Sequence, residues 1–444
     1  MLPVERYMTA RQAADALGVT PATLYAYISR GRLHSEPAPG RPRERRYYRE
    51  DIERLRERRE TRRDPAKAAA RGLHWGSPAL PSGITLIHEG KLYYRGREVS
   101  ELARKAAVEE VAELLWDADP AQRGRLFSQP CPLSPGQLAR LRDLSRDPVT
   151  RMQAALPLAG AADLAAYDLR PAAVRLAGAR IFRLLTSILA GRDSRMPAHL
   201  ALQAAWAPRR AAAGDVIRTV LAVCADHELN ASTFTARCAA SARASPYDVV
   251  AAAMAALKGQ RHGGETNRVA ALFAETGTPK KARAVVANRL RRGESIPGFG
   301  HPLYPAGDPR AALLMDLAGK SGNDPAWRLV QALRGAGSNL LHDLPNLDFG
   351  LAAIALTYRL PSYAPLALFA LGRTVGWIAH AIEQYSSSEL IRPRALYTGP
   401  LPPADTAEPA IKPSAAASRH PRRAPRRASI PRSNLRPTPP PAPA

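Results

Sequence analysis

Five short segments in the second half of the chain combine residue types that move protons and hold anions. They are Asp226-His227-Glu228-Leu229-Asn230, Arg261-His262-Gly263-Gly264, Pro297-Gly298-Phe299-Gly300-His301-Pro302, Gly307-Asp308-Pro309-Arg310 and Pro345-Asn346-Leu347-Asp348. Arg373 and the run Ile391-Arg392-Pro393-Arg394 follow. Removing a proton beside a thioester carbonyl needs a carboxylate base, a donor on the carbonyl oxygen to stabilise the enolate, and a second donor on the electrophile. Asp348, between Pro345-Asn346 and Phe349-Gly350, suits the base. His262 stands beside two glycines, where backbone can pass close to a ligand, and His301 lies in a glycine-rich loop with similar access. Arg310, Arg373 and Arg392 have the planar fork that grips carboxylates bidentately, which lysine does poorly. The remaining histidines, His34, His74, His88, His199, His342, His380 and His420, read as packed or surface residues.

The elements that must carry these groups read as helices. Ala and Leu are abundant and aromatics make up only 6% of the chain, a mixture that favours closely packed helices over an all-β fold. From about 98 to 395 the pattern is helical, for example from Leu102 to Leu115, Ala172 to Leu189, Asp215 to Cys224 and Tyr247 to Leu257. Ahead of it, Ile84-Thr85-Leu86-Ile87 and Leu92-Tyr93-Tyr94-Arg95-Gly96 read as two short strands joined by a turn.

Residues 8–63 form a separate pattern. Thr9-Ala10-Arg11-Gln12 is a capping box, and Ala13, Ala14 and Leu17 continue an apolar face as far as Gly18. Thr20-Pro21 opens a second helix that turns Leu24 and Ile28 inward, displays Tyr25, Tyr27 and Arg30, and stops at Gly31. A basic strand-like segment, Arg41 to Tyr48, and a charged helix from about Arg49 to Arg63 follow. Helix, short turn, helix and basic wing is the layout of a winged helix-turn-helix, and the segment resembles DNA-binding domains of the MerR and excisionase type. The resemblance implies contacts to double-stranded DNA from Tyr25, Tyr27 and Arg30 on the second helix and from Arg43, Arg45 and Arg46 in the wing. The alternative is a small helical packing module.

Charge and composition narrow the rest. The 444 residues carry a net charge of +25, and residues 1–72 hold 17 basic against 10 acidic side chains. Residues 405–444 hold 8 against 2. Such flanks suit nucleic acid. Residues 64–79 read as a linker. From Pro400 onward the chain packs 13 of its 41 prolines into 45 residues, so the segment 399–444 is expected to be disordered. Cys131, Cys224 and Cys238 are too scattered for a disulfide framework or a metal knuckle, and a reducing cytoplasm fits. Neither a metal site nor a bound cofactor is expected, no run of eighteen apolar residues occurs, and no membrane partner is expected.

Taken together, the segments around His227, His262, His301, Arg310, Asp348 and Arg392 resemble citrate synthase in type, order and spacing over about residues 80–398. The resemblance implies an all-α catalytic region with a large and a small domain, a homodimer with a shared active site, and condensation of acetyl-CoA with oxaloacetate. It gives Asp348 the methyl proton of acetyl-CoA, His262 the thioester carbonyl and His301 the oxaloacetate ketone. It gives His227, Arg310 and Arg373 the oxaloacetate, with Arg392 reaching in from the partner subunit, although Arg394 is close enough to take that place. Pro297, Gly298, Phe299 and Gly300 would lie against CoA. The small domain would close over oxaloacetate and exclude water before citryl-CoA is hydrolysed. Two related readings stay open, a 2-methylcitrate synthase using propionyl-CoA and a DNA-binding regulator that senses oxaloacetate or an acyl-CoA. One departure stands out. Where the family commonly has Ala-Asn after His-Gly-Gly, this chain has Glu265-Thr266, and the glutamate is expected to bear on the CoA pocket or on His262.

Overall fold

The capping box at the N-terminus forms as its sequence dictates. Thr9 Oγ1 accepts from the Gln12 N–H at 3.3 Å, and Gln12 Oε1 accepts from the Thr9 N–H at 2.8 Å. Helix α1 (Ala10–Leu17) then ends on Gly18 at φ 58°, and α2 (Pro21–Ser29) starts behind Thr20, whose hydroxyl accepts from the Thr23 N–H. The basic wing is a sheet. Strand β3 (Arg41–Tyr48) pairs antiparallel with both β1 (Tyr7–Thr9) and β2 (Ser35–Ala38), neither of which the sequence suggested. Ala13, Ala14, Leu17, Leu24, Leu33, Tyr47 and Ile52 close a small core, and Tyr27 packs partly against it beside Ile28 instead of being displayed.

The computed structural model describes residues 7–29, 33, 35–38, 41–48, 51–52, 80–119, 124–322, 324–393, 395 and 398–400. Most of the charged helix expected from Arg49 to Arg63, the linker 64–79 and nearly all of the segment 399–444 therefore lie outside the described residues. Contacts divide the chain into units Met1–Ala395 and Leu396–Ala444, and every element named here belongs to the first.

Strands β4 (Thr85–His88), β5 (Lys91–Tyr94) and β6 (Arg97–Glu98) form an antiparallel meander, one strand more than the sequence suggested. Both turns, Glu89-Gly90 and Arg95-Gly96, hold two residues at positive φ, the geometry whose twist matches paired strands.

Helices α3 (Val99–Lys105) and α4 (Val108–Leu115) replace the single helix expected from Leu102 to Leu115. Ala106 and Ala107 are extended at the break, and Glu110 caps α4 by accepting from the Ala107 N–H at 2.6 Å. Next come α5 (Pro135–Leu144), α6 (Pro148–Ala162), α7 (Pro171–Ala190), α8 (Ala198–Trp206) and α9 (Ala212–Cys224). They are followed by α10 (Ala231–Ser241), α11 (Pro246–Leu257), α12 (Glu265–Thr276) and α13 (Ala282–Arg291). Helices α14 (Pro309–Gly319), α15 (Pro325–Leu341), α16 (Leu347–Thr357) and α17 (Ala364–Tyr385) complete the set. The other expected helices fall within α7, α9 and α11.

The apolar faces fill two cores. The larger joins the meander, α3 to α11 and α17 around the fully buried Trp116 and Trp377. The smaller gathers Val269, Phe273, Val286, Val330, Leu333 and Phe349 from α12, α13, α15 and α16. Helix α16 serves both. Leu347, Leu351 and Ile354 enter the first core, while Phe349, Ala352 and Ala353 enter the second. Asp348 thus begins a helix on the seam. Helix α17, with 22 residues, is long and apolar enough to cross a bilayer, yet its apolar stretch is wholly buried as the central helix of the larger core.

Candidate active site

The turn between α9 and α10 carries the first group. Asn230 caps α10 by accepting from the Thr233 N–H at 3.1 Å, which brings Ser232 against His262. His262 Nε2 lies 2.8 Å from Ser232 Oγ, which also accepts from the Trp377 indole N–H at 3.3 Å and lies 2.8 Å from Asn230 Oδ1. Ser232 has one proton for two acceptors. In this geometry the hydroxyl donates to Asn230 Oδ1, and the direction of its contact with His262 Nε2 follows the tautomer of the ring, the form protonated on Nδ1 being the one that donates from that side. Burial pushes the His262 imidazolium down to about 4, with Arg373 adding to the effect, so the ring is neutral near pH 7.

His227 is buried behind it, with Nε2 2.9 Å from the Tyr304 hydroxyl and its ring edge-to-face with His301 at 5.3 Å between centroids. Burial, then Arg310 and Arg373, hold it far below the ordinary histidine range. The residue before it, Asp226, is fully buried and accepts from the Thr85 hydroxyl at 2.6 Å, with His380 Nε2 at 3.3 Å. Tyr94 ties the same turn to the meander by accepting from the Asp226 N–H at 3.0 Å.

A second group hangs on the ends of α14 and α16. His301 Nδ1 accepts from the Leu303 N–H at 3.2 Å, so in the neutral ring the proton sits on Nε2, ready to donate. Burial lowers its pKa, with Arg310 next in effect. Asp308 caps α14, binds Arg310 through both oxygens at 2.9 and 2.8 Å, and accepts from the Leu347 N–H at 3.1 Å. One carboxylate therefore orients the guanidinium and links it to the start of α16. The His301 loop is stapled to the same place: the Gly300 N–H donates to Leu344 O and the Asn346 N–H to Gly298 O, each at 2.9 Å.

Asp348 sits in the first turn of α16 with Oδ1 sealed from solvent and without a hydrogen-bond partner. Burial pushes its carboxyl up to about 7, the charge of Glu265 pushes the same way, and Arg310 opposes them. An aspartate that ionises near neutrality suits a general base. Arg373, on α17, is 1% exposed and donates Nε–H to Cys224 O at 2.8 Å, while Nη1 and Nη2 have no partner. A buried fork with both outer nitrogens idle is a costly arrangement that a carboxylate ligand would satisfy.

The structure thus brings His227, His262, His301, Arg310, Asp348 and Arg373 to one seam, and it revises the expectation for Glu265. Glu265 acts on Asp348 and does not figure among the groups acting on His262; its own ion pair is with Arg268 at 2.7 Å. Pro297 and Gly298 are buried, while Phe299 is half-buried with its ring packed on Phe349 at 5.1 Å between centroids. Arg392 is exposed, and Arg394 lies outside the described residues. Ser232, Trp377, Tyr304 and Asp226 were assigned no role from the sequence. The asparagine cap at Asn230 was the signal that could have placed Ser232 at the mouth of the helix. Nothing in sequence spacing marks Tyr304.

On α2, Tyr25 is 53% exposed. Two wing arginines expected to face DNA are engaged within the sheet. Arg45 donates to Ser35 Oγ at 2.7 Å and Ser35 O at 2.6 Å, while Arg46 lies 3.9 Å over the Tyr7 ring and pairs with Glu36 at 2.8 Å. Arg30 and the side chain of Arg43 lie outside the described residues.

Residues 72–394 match the family of citrate synthase C-terminal domains, and residues 7–60 match a helix-turn-helix domain family. A citrate synthase from Mycolicibacterium smegmatis is 33% identical over 74% of this chain and 95% of that protein. A 2-methylcitrate synthase from Mycobacterium tuberculosis is also 33% identical, over 69% of this chain and 84% of its own. The citrate synthase of Thermoplasma acidophilum, solved with carboxymethyl coenzyme A and oxaloacetate, superposes with a TM-score of 0.67 at 25% identity, covering 75% of this chain and 97% of that one. Behind its helix-turn-helix domain, the chain belongs to the citrate synthase family.

Proposed function

We propose that this protein condenses acetyl-CoA with oxaloacetate to give citrate and CoA. Asp348 takes a methyl proton from acetyl-CoA, and the electron pair moves onto the thioester oxygen, where the His262 Nδ1–H stabilises it. The enolate carbon attacks the oxaloacetate ketone while His301 Nε2–H donates to its oxygen. Arg310, Arg373 and His227 hold the oxaloacetate carboxylates, and Arg392 of a second copy completes the site in a homodimer. Water then cleaves the citryl-CoA thioester. The observation that carries this reading is the buried Arg373 fork with both Nη groups unpartnered, on the same seam as an aspartate that titrates near 7.

The test is release of free thiol from acetyl-CoA in the presence of oxaloacetate. Turnover that depends on both substrates and is lost in Asp348→Asn is the expected result; a folded protein that releases no CoA, or one indifferent to the substitution, would sink it. Propionyl-CoA is the second acyl donor to assay, because the 2-methylcitrate and citrate synthase relatives are equally similar. One extra methylene shifts selectivity by only about 1–3 kcal/mol. We further propose that residues 1–63 dock on double-stranded DNA, supported by the helix-turn-helix match and the exposed Tyr25.

A further inference from the structure

Tyr304 is a buried polar side chain with no task yet in the condensation. It is 2% exposed, and its ring packs against three of the groups assigned to oxaloacetate. Its centroid lies 5.6 Å from that of the His227 ring and 5.0 Å from that of His301, with the Arg310 guanidinium 5.6 Å over its face. Two successive turns hold it there. The Tyr304 N–H donates to His301 O and the Gly307 N–H donates to Tyr304 O, each at 2.9 Å.

The hydroxyl makes one hydrogen bond among the described residues, at 2.9 Å to His227 Nε2. The other nitrogen of that ring, Nδ1, bonds to no described residue. Burial keeps the phenol protonated and the His227 ring neutral, so each partner brings a single proton to the pair. Two arrangements satisfy that count. In the first, the hydroxyl donates to a bare Nε2 and the ring proton sits on Nδ1. In the second, Nε2–H donates to the hydroxyl oxygen, which strands the phenol proton in a buried place without an acceptor. The second is the costlier, because a buried donor left unpaired loses its hydration and gains nothing. It also gives Nδ1 a lone pair, which repels a carboxylate where Nδ1–H would hold one.

We propose that Tyr304 is a positioning residue for oxaloacetate: its hydroxyl donates to His227 Nε2 and so keeps the imidazole proton on Nδ1 for a substrate carboxylate. This rests on the role given to His227 in the proposed condensation. Tyr304 itself makes and breaks no covalent bond. It acts by removing the competing tautomer, in which His227 cannot donate to an anion from Nδ1.

Tyr304→Phe keeps the ring and its packing on His301 and Arg310 and removes only the hydroxyl. Calorimetric titration of the full chain with oxaloacetate is expected to show binding weakened about fivefold to tenfold in this variant. Steady-state kinetics should show the KM for oxaloacetate rising to match, with kcat and the KM for acetyl-CoA within about twofold of the unaltered chain. His227→Asn is the control, since asparagine offers an N–H near the Nδ1 position and nothing at Nε2. Adding Tyr304→Phe to His227→Asn should weaken oxaloacetate no further. Nitrogen-15 spectra of histidine-labelled, unaltered protein read the tautomer without any substrate. The His227 signals, identified as those lost in His227→Asn, should show Nδ1 protonated and Nε2 bare. Should Tyr304→Phe fail to fold, that spectrum decides. A chain that binds no oxaloacetate sinks the condensation reading, and with it the purpose assigned to Tyr304. Where oxaloacetate does bind, the positioning role alone is overturned by a protonated Nε2, by undiminished affinity in folded Tyr304→Phe, or by a further loss in the double variant.

Discussion

Asp348 meets two opposed demands. Its sealed Oδ1 and raised pKa suit proton abstraction, yet the same burial penalises the charged form in the folded state. An unfolded aspartate titrates near ~3.9, so the folded chain keeps its proton to higher pH than the unfolded chain. Stability from this group is therefore lost as pH rises from about 4 to about 7, and the loss stays in full above that. Asp348→Asn, neutral throughout, is expected to abolish CoA release and to stabilise the fold by roughly 2–4 kcal/mol near about pH 8, with a smaller gain near about pH 5. Denaturant unfolding at both pH values checks the pair; a gain independent of pH means burial of Asp348 carries no charge penalty. Glu265 adds a second test, since its charge pushes the Asp348 carboxyl upward. Glu265→Gln should move the acid limb of the kcat/KM profile to lower pH, and a limb that stays put would remove Glu265 from the site. At this scale the sequence was most informative about residue types, because acid, base and anion ligand each demand particular chemistry. It was poor at pairing them. Glu265 stood out in the sequence next to His262, but neighbours in sequence across the start of α12 are not the nearest charges in space.

Element by element, what positions the site is how closely α17 can approach the end of α9. The Gly376 N–H donates across to Ala225 O at 2.9 Å, and three residues earlier Arg373 donates to Cys224 O at 2.8 Å. A Cβ on Gly376 would stand 2.3 Å from Ala225 O and 2.4 Å from Asp226 Oδ1, both rigidly placed. Gly376→Ala must therefore push α17 away from the turn that carries His227. It is expected to cost about 1–3 kcal/mol or more of stability and to raise the KM for oxaloacetate beyond that for acetyl-CoA. Equilibrium unfolding and steady-state kinetics check both effects; wild-type values in each would mean the close crossing is dispensable. Long helices were legible where apolar periodicity runs on behind an opening proline, as for α7 at Pro171 and α11 at Pro246. The break at Ala106-Ala107 was not, since both residues favour helix and only the reach of Glu110 to the Ala107 N–H restarts it. Strands β1 and β2 were hidden for a related reason. Three or four residues give too little alternation, and their pairing is dictated by β3.

For the whole molecule, the open matter is what a helix-turn-helix adds to a citrate synthase family chain. Residues 1–72 carry 17 basic and 10 acidic groups, which suits a polyanion, yet Arg45 and Arg46 are engaged inside the wing. Salt-sensitive attraction must then come largely from other arginines of the flank, while Tyr25, 53% exposed on α2, is the described side chain best placed to meet bases. Three outcomes follow for anisotropy with a mixed-sequence duplex. The full chain binds with an affinity that falls steeply with salt, Tyr25→Ala weakens binding without lowering thermal stability, and Arg46→Ala destabilises the domain because it removes a packed and paired guanidinium. Deleting residues 1–63 should abolish binding and leave CoA release intact, since every proposed catalytic group lies beyond residue 220. Binding that survives the deletion would transfer the role to the basic segment 405–444, with its 8 basic and 2 acidic residues, and leave the N-terminal domain as a packing module.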